Sequence, residues 1–107
     1  MRKGVVELVV LAALTHGEAY GYEILQRLQP LEGMAMTEST VYPVLARLTR
    51  QGLLSSRRAP SPKGPPRRYY QLTPDGRQRL DAMWAQLQLL HDGVDALIHP
   101  NHEEHRP

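Results

Sequence analysis

Apolar residues recur at helical spacing in four stretches of the chain, and this pattern predicts four α-helices. The first stretch, residues 5–15, is apolar on nearly every face, as expected of a helix that is buried on several sides. In a small domain, such a helix suggests contact with a second subunit as well as with the chain's own core. The second stretch, residues 20–29, is followed by Pro30, which has no amide hydrogen for a further helical bond. Tyr20 and Tyr22 at its start fit either core packing or a phosphate contact.

The third predicted helix covers residues 38–51 and has one well-defined apolar face. That face is formed at positions i, i+3, i+4 and i+7 by Val41, Val44, Leu45 and Leu48. Pro43 is unfavourable inside a helix, because it cannot donate a backbone hydrogen bond and it crowds the preceding turn. We therefore expect a distorted first turn or a start close to Ser39 or Thr40, with Thr37 as the rival N-cap.

Two shorter stretches, residues 53–58 and 67–72, have the pattern of paired β-strands. In the second, Tyr70 and Leu72 alternate with polar neighbours, which predicts one face turned inward. The connection at residues 59–66 contains four prolines and is too long for a tight turn. We expect an antiparallel hairpin with an exposed, mobile tip.

The fourth predicted helix begins after Thr73, a favourable N-cap, with Pro74 at its first position. Its apolar residues alternate three and four positions apart, as in a coiled-coil seam: Leu80, Met83, Leu87, Leu90, Val94 and Leu97. One helix that packs only within its own small domain rarely needs so long a stripe. The spacing therefore favours a dimerisation helix, and the alternative is an internal core helix.

Charge is distributed very unevenly along the chain. The 107 residues have a net charge of +2, yet residues 39–74 hold seven basic residues and no acidic one, so they carry +7 and the rest −5. A basic helix followed by a basic hairpin is typical of a winged helix-turn-helix that binds nucleic acid. The predicted fold is therefore mainly α with a small two-stranded antiparallel wing, forming a homodimer. Residues 1–72 are the predicted DNA-binding domain, 73–98 the dimerisation helix and 99–107 a flexible tail.

The sequence contains no motif that predicts catalysis. It has no Gly-rich phosphate loop and no nucleophile elbow, so we expect neither an enzyme nor a cofactor. His99, His102 and His105 have a spacing that could bind a metal, but Pro100 interrupts the helix that would orient them, so a disordered tail is favoured and no metal site is predicted. The absence of cysteine and of any long apolar run is typical of a cytoplasmic protein without a membrane partner.

Three motifs together resemble those of the PadR family of bacterial transcriptional regulators, in its short form with a single C-terminal helix. They are residues 21–25 (GYEIL), residues 39–48 with 52–54 (STVYPVLARL and GLL), and residues 67–76 (RRYYQLTPDG). They occur in the family's order and at its spacing, and a proline after the helix-three tyrosine belongs to the family pattern.

The resemblance implies a homodimer that binds a palindrome-like operator in double-stranded DNA, usually as a repressor. It implies helix-three contacts from Ser39, Thr40 and Tyr42, with Arg47 added, and wing contacts from Arg57, Arg58, Lys63, Arg67 and Arg68. Many relatives release DNA when a small aromatic or amphipathic effector binds. Trp84 is the candidate effector contact, although it stands about one turn before the family's usual stacking position, and packing in the dimer interface is the alternative. A winged-helix module that binds proteins instead of DNA is the competing function.

Overall fold

The computed structural model describes residues 2–34 and 36–100, which form four α-helices and three short strands. In chain order these are α1 (Arg2–Ala13), β1 (Ala19–Tyr20), α2 (Gly21–Arg27), a 3₁₀ helix (Gln29–Met34), α3 (Glu38–Arg50), β2 (Leu54–Ala59), β3 (Arg67–Leu72) and α4 (Pro74–Ile98). This architecture confirms the predicted winged helix-turn-helix. The connection between α2 and α3 is largely the 3₁₀ helix.

The wing has one strand more than the predicted hairpin. The strand order is β1-β3-β2, and all pairs are antiparallel. β1 contributes only two residues, with Ala19 opposite Tyr70 and Tyr20 opposite Tyr69. Two residues are too few to show an alternating pattern, so this strand exists because the chain passes β3 on its way into α2. It anchors the wing to the helical core.

The core lies between α1, α2, α3 and the root of the wing. Its largest fully buried side chains come from all four of these elements: Leu11, Ile24, Leu45, Leu48 and Leu54. The apolar face predicted for α3 is confirmed at Val41, Leu45 and Leu48, which are completely buried. One buried residue of the described chain is charged, Glu7 on α1. A buried carboxylate requires partners, and these are described below.

Helix α3 begins earlier than the proline led us to expect. Its N-cap is Thr37, the rival candidate, and Pro43 lies inside the helix. The missing amide of Pro43 removes one bond, the one that would have reached the carbonyl of Ser39. The remaining bonds and the buried face of the helix are sufficient to keep this turn helical.

Helix α4 starts tightly packed against the segment between α3 and β2. The Thr73 hydroxyl accepts a hydrogen bond from the Gly76 amide at 2.9 Å and donates one to the Gly52 carbonyl at 2.7 Å. Gly76 is buried, and a β-carbon at this position would lie 2.0 Å from the Leu53 carbonyl oxygen. Further along α4, Leu80 is buried, but every residue from 84 to 100 is exposed.

Candidate nucleic-acid interface

The N-terminal end of α3 presents short polar groups on its outward face. The Thr37 hydroxyl lies 3.0 Å from the Ser39 hydroxyl and 3.3 Å from that of Thr40. Tyr42 follows on the exposed side, with 41% of its surface accessible. Because Pro43 has no amide hydrogen, the carbonyl of Ser39 receives no helical hydrogen bond from that position. Hydroxyl and carbonyl groups on a helix that fits the major groove can read base edges.

The wing separates its arginines onto two faces, because residues opposite each other in an antiparallel pair share a face. Arg58 lies directly opposite Arg68, and both side chains are exposed. Arg57 lies opposite Tyr69 on the other face. Like charges in directly opposed positions repel each other and destabilise a hairpin. The Arg58–Arg68 pair therefore concentrates positive charge at a cost to the stability of the wing.

The loop between β2 and β3 carries Lys63 at an exposed position. The loop is turned by Gly64, whose φ of 111° suits glycine. The Ser61 hydroxyl lies 3.2 Å from the Gly64 carbonyl and 2.9 Å from the Pro65 carbonyl, so it can donate across the turn. The expectation of an exposed tip is met, and its backbone is held by a local hydrogen bond.

A cavity of about 270 Å³ joins α2, α3 and the wing. Its lining contains four tyrosines, two arginines and one glycine: Tyr20, Gly21, Tyr22, Tyr42, Arg67, Arg68 and Tyr70. A β-carbon on Gly21 would lie 2.9 Å from the Tyr42 ring, so glycine is what allows this ring to rest against α2. The Arg67 guanidinium lies 4.3 Å from the centre of the Tyr20 ring. Phenol and guanidinium groups both donate hydrogen bonds, so this cavity suits an oxyanion.

Two of these tyrosines are held in their neutral form. Burial is the main reason why the pKa of Tyr42 is raised, and the charges of Glu38 and Tyr70 raise it further. Burial also raises the pKa of Tyr70, partly opposed by Arg68. Both hydroxyls are therefore protonated at neutral pH and able to donate a hydrogen bond.

Arg57 is engaged within the chain. Its Nε donates to Glu18 Oε2 at 3.0 Å, its Nη2 contacts Glu18 Oε1, and its guanidinium lies 4.8 Å from the centre of the Tyr69 ring. The hydrogen bond from Arg57 is the main reason why the pKa of Glu18 is lowered. Within residues 2–34 and 36–100, Arg57 is thus the predicted wing contact whose charge is already compensated by an acid.

Arg47 does not lie on the exposed face of α3 with Ser39, Thr40 and Tyr42. It stands one residue before Leu48, at the edge of the core face, and its Nη1 donates to Glu7 Oε1 at 3.2 Å. Its side chain is 24% exposed. The basic residue that α3 exposes is Arg50, in its last turn. The expected DNA contact of Arg47 stays a prediction, and in this chain its guanidinium is turned toward α1.

The predicted seam of α4 divides into a buried and a free part. Leu80 belongs to the core of its own chain, and Met83 is half-buried against that core. The later seam residues are exposed: Leu87, Leu90, Val94 and Leu97. Trp84 and Ile98 flank them and are exposed by 52% and 64%. Leu80 thus packs within its own chain, and the outer half of α4 keeps a long exposed apolar face.

Two apolar grooves run between α1 and α4. One, of about 460 Å³, has Leu8, Met83 and Leu90 in its lining. The other, of about 470 Å³, has Val9, Trp84 and Leu87 in its lining. Trp84, the candidate effector contact, is therefore the aromatic wall of an open groove whose opposite side is α1.

Sequence reasoning missed the part of the site that depends on tertiary contacts. Tyr70 was expected only as an inward-facing strand residue, and the structure places it in the cavity beside Tyr42. Glu7 and Arg79 were not singled out, yet they form an ion pair with an Nη1–Oε2 distance of 2.7 Å. The sequence did contain a signal, because Glu7 is the lone acid within the apolar stretch of residues 5–15. A buried acid needs a partner.

Other candidate chemistry falls outside the described chain or finds no site in it. His102 and His105 lie beyond the described residues, so the structure does not bear on the histidine spacing of the tail. Residues 2–34 and 36–100 contain no group of three His, Cys, Asp or Glu placed to hold a metal ion. None of the helices described is both long and apolar enough to cross a membrane.

Comparison with known proteins identifies one family. The model of the transcriptional regulator PadR-like family matches residues 10–82. A PadR-like transcription factor from Bacteroides fragilis is 36% identical, with a TM-score of 0.80 over 91% of this chain and 93% of its own. A PadR family regulator from Eggerthella lenta is also 36% identical, with a TM-score of 0.79 over 91% of this chain and 84% of its own. No curated protein matches the chain.

A more distant neighbour has been solved with nucleic acid. Bacillus subtilis PadR in complex with operator DNA is 29% identical, with a TM-score of 0.64 over 73% of this chain and 45% of its own.

Proposed function

Because the chain belongs to the PadR-like family of transcriptional regulators, we propose that it binds double-stranded DNA as a homodimer and represses transcription from a palindrome-like operator. Residues 1–72 form the DNA-binding unit, and the helix at 73–98 joins the two copies. The neighbour solved with operator DNA supports this choice over a protein-binding module. In a twofold dimer, two copies of α3 would meet two successive half-sites, which is why the operator is expected to be palindrome-like.

Base recognition is assigned to the exposed start of α3. Ser39, Thr40 and Tyr42 present hydroxyls there, and burial raises the pKa of Tyr42 further above neutral. Hydroxyl groups can donate to or accept from base edges, so they suit a helix placed in the major groove. Arg50 lies on the same exposed side at the far end of α3, where it can reach the phosphate backbone.

Phosphate binding is assigned to the wing and to the tyrosine-lined cavity. Arg58 and Arg68 are exposed, neither forms an ion pair with an acid among the described residues, and Lys63 extends the charge to the tip. Arg67 and the tyrosine hydroxyls surround the 270 Å³ cavity, which is open enough for a backbone phosphate to approach. Arg57 contributes less free charge than its neighbours, because Glu18 compensates it. Such contacts position the protein without reading sequence.

Dimerisation is assigned to the free apolar face of α4 together with α1. Leu87, Leu90 and Val94 are exposed at coiled-coil spacing, and a contiguous apolar face of this length is unfavourable in water. A small aromatic or amphipathic effector would enter the groove beside Trp84, between α1 and α4. A ligand there would change the contact between the two copies, and so the distance between their DNA-reading helices.

The observation that carries the proposal is the exposed Arg58–Arg68 pair, a repulsive arrangement on the hairpin that a polyanion would relieve. We expect Arg58→Ala with Arg68→Ala to weaken binding to duplex DNA of any sequence. The slope of log affinity against log salt should fall by about two per subunit, since each cation releases roughly one counterion. Fluorescence anisotropy of a labelled duplex at several salt concentrations measures both quantities.

The matched control removes the same charge elsewhere. Arg27 and Arg77 are exposed and donate to backbone carbonyls of Ala13 and Thr15 near the end of α1. The double change Arg27→Ala with Arg77→Ala should leave the salt slope nearly unchanged. Equal slopes for wild type and the wing variant would refute the wing assignment. Repression itself is tested by transcription in vitro from a promoter that overlaps a selected operator.

A further inference from the structure

We propose that Glu7 is a positioning residue that fixes the DNA-reading helix α3 relative to the dimerisation helix α4, and so sets the half-site spacing that the dimer accepts. This inference rests on the proposed function. In that function, the Glu7 carboxylate contacts neither DNA nor the partner copy. It acts through the two arginines that it binds.

Glu7 uses one carboxylate oxygen for each of the two helices. Its Oε1 accepts from Arg47 Nη1 on α3 at 3.2 Å, and its Oε2 accepts from Arg79 Nη1 on α4 at 2.7 Å. The Glu7 side chain is 9% exposed, whereas those of Arg47 and Arg79 are 24% and 47% exposed. A single buried acid on α1 thus joins the two elements whose relative placement matters for a dimeric DNA reader.

Stability alone is a poor explanation of this arrangement. Burying a carboxylate costs desolvation energy that the ion pairs offset only in part. Within the described chain, Arg47 Nη2 is buried and has no hydrogen-bond partner, which adds a further cost. Apolar side chains at all three positions, 7, 47 and 79, would avoid both costs. The geometry instead favours a role in which the relative orientation of α3 and α4 matters.

At its start, α4 also has directional contacts, because Thr73 donates to the Gly52 carbonyl just after α3 and Arg77 donates to the Thr15 carbonyl just after α1. Further along, α4 packs on the core through Leu80 and Met83, and these apolar contacts are not directional. Hydrogen-bonded ion pairs are directional, so a carboxylate that binds both arginines permits few relative positions of α3 and α4. Two copies joined along α4 would then hold their two α3 helices at one separation.

The separation of the two reading helices is directly measurable. The chain has no cysteine, so Ala46→Cys on the exposed side of α3 provides one spin-label site per copy. Pulsed dipolar EPR on the dimer then measures the distance between the two labels. We expect a narrow distribution in this background, and a distribution at least about twice as wide when Glu7→Gln or Arg79→Gln is added.

The matched control for these variants is Arg77→Gln. It removes the same charge from the same end of α4, but Arg77 donates to the Thr15 carbonyl instead of Glu7. The control should retain the narrow distribution. Arg79→Gln also provides the test if Glu7→Gln fails to fold, because Arg79 lies at the exposed side of the ion-pair cluster and thermal unfolding can confirm that its variant is native.

A DNA experiment tests the consequence. Operators selected with the wild-type protein are remade with the half-sites one base pair closer or further apart. We expect the wild type to prefer one half-site spacing. The ratio of the affinities for the preferred and the altered spacing should be about tenfold lower in the Glu7 and Arg79 variants, and their affinity for a single half-site should differ from that of the wild type by less than about twofold. A purely structural role would instead lower affinity for all duplexes together.

The outcomes separate the two proposals. A protein that stays monomeric or ignores DNA overturns the proposed function, and with it the basis of this inference. A dimer that binds its operator, with equally narrow distances and equal spacing preference in wild type, Glu7→Gln and Arg79→Gln, overturns the role of Glu7 alone. Broadening that also appears with Arg77→Gln would assign the effect to charge loss on α4 and would likewise overturn it.

Discussion

Gly76 shows how one residue without a side chain decides where α4 begins. A β-carbon there would lie 2.0 Å from the Leu53 carbonyl oxygen, and backbone atoms cannot move aside as a flexible side chain can. We expect Gly76→Ala to lower the free energy of unfolding by about 3 kcal/mol or to displace α4. Chemical denaturation measures the change.

Gly93 provides the control on the same helix. A β-carbon at Gly93 would meet no atom within 4 Å, and alanine is the better helix former. Gly93→Ala should therefore raise stability by roughly 0.5–1 kcal/mol. Stabilisation of similar size in both variants would show that helix propensity, and not the approach to Leu53, governs position 76.

Glu18 limits the charge that the wing offers to DNA. Its pKa is lowered mainly by the hydrogen bond from Arg57, so at neutral pH it is ionised and compensates that arginine. We expect Glu18→Gln to raise affinity for any duplex by about threefold at low salt, since one more cation per subunit becomes available. Anisotropy titrations at pH 7 test this, and unchanged affinity would count against it.

The sign of the pH effect follows from the same ion pair. A carboxyl group with a lowered pKa contributes stability above its unfolded-state value, near 4.5, and loses it as the pH falls through the lower folded-state value. The difference in affinity between wild type and Glu18→Gln should therefore vanish in that acidic range. There the wild-type side chain is protonated as well.

Residues that act through local rules were predictable, and those that act across the fold were not. Thr73 and Pro74 were expected at the start of α4 because capping depends on neighbours in sequence, and the structure confirms both. Arg47 could not be placed from sequence. Its direction depends on Glu7, which stands 40 residues away, and helical spacing alone leaves the edge of a face undecided.

At the scale of elements, strong periodicity gave reliable predictions and short elements escaped detection. The apolar face of α3 and the two longer strands were predicted within about one residue, because α3 has four apolar positions in register and Gly52 and the proline-rich loop bound the strands. β1 has two residues and carries no period, and it forms only because β3 offers it a free edge. The tyrosine-lined cavity depends on this pairing, so it too was beyond prediction.

The exposed apolar face of α4 leads to a testable prediction about dimerisation. Leu87 is 38% exposed and lines both grooves beside α1. If this face joins two copies, Leu87→Glu would bury a charge in the interface and should convert the dimer to a monomer. Light scattering with in-line chromatography measures the mass, and loss of operator binding should accompany the change.

Ala85→Glu is the control for that substitution. Ala85 is exposed on the same helix, but it belongs neither to the seam nor to the lining of either groove. The same added charge should leave the mass of the dimer unchanged. A Leu87→Glu protein that remains dimeric would show that the copies associate through another surface.

At the scale of the whole molecule, DNA reading and association are proposed to occupy different parts of one short chain. In this proposal the exposed basic residues of the wing and of the end of α3 face the duplex, and the outer half of α4 faces the partner. α1 lies between them, packing on α3 with one side and bordering the grooves of α4 with the other. A change in how two copies meet would therefore reach the reading helices through α1.

The single tryptophan reports on this association without any label. Trp84 is 52% exposed in one chain and lines the groove that the partner would cover, so dimerisation should remove it from water. We expect its fluorescence emission to shift to shorter wavelength as the protein concentration rises, whereas the Leu87→Glu protein keeps the long-wavelength emission at every concentration. An aromatic ligand that enters the groove should quench the same signal and shift the concentration at which the transition occurs, because a ligand that binds one state better moves the equilibrium toward it. If light scattering shows a monomer–dimer transition but the emission does not change with concentration, Trp84 lies outside the dimer interface. The proposed effector groove would then lie outside the interface as well.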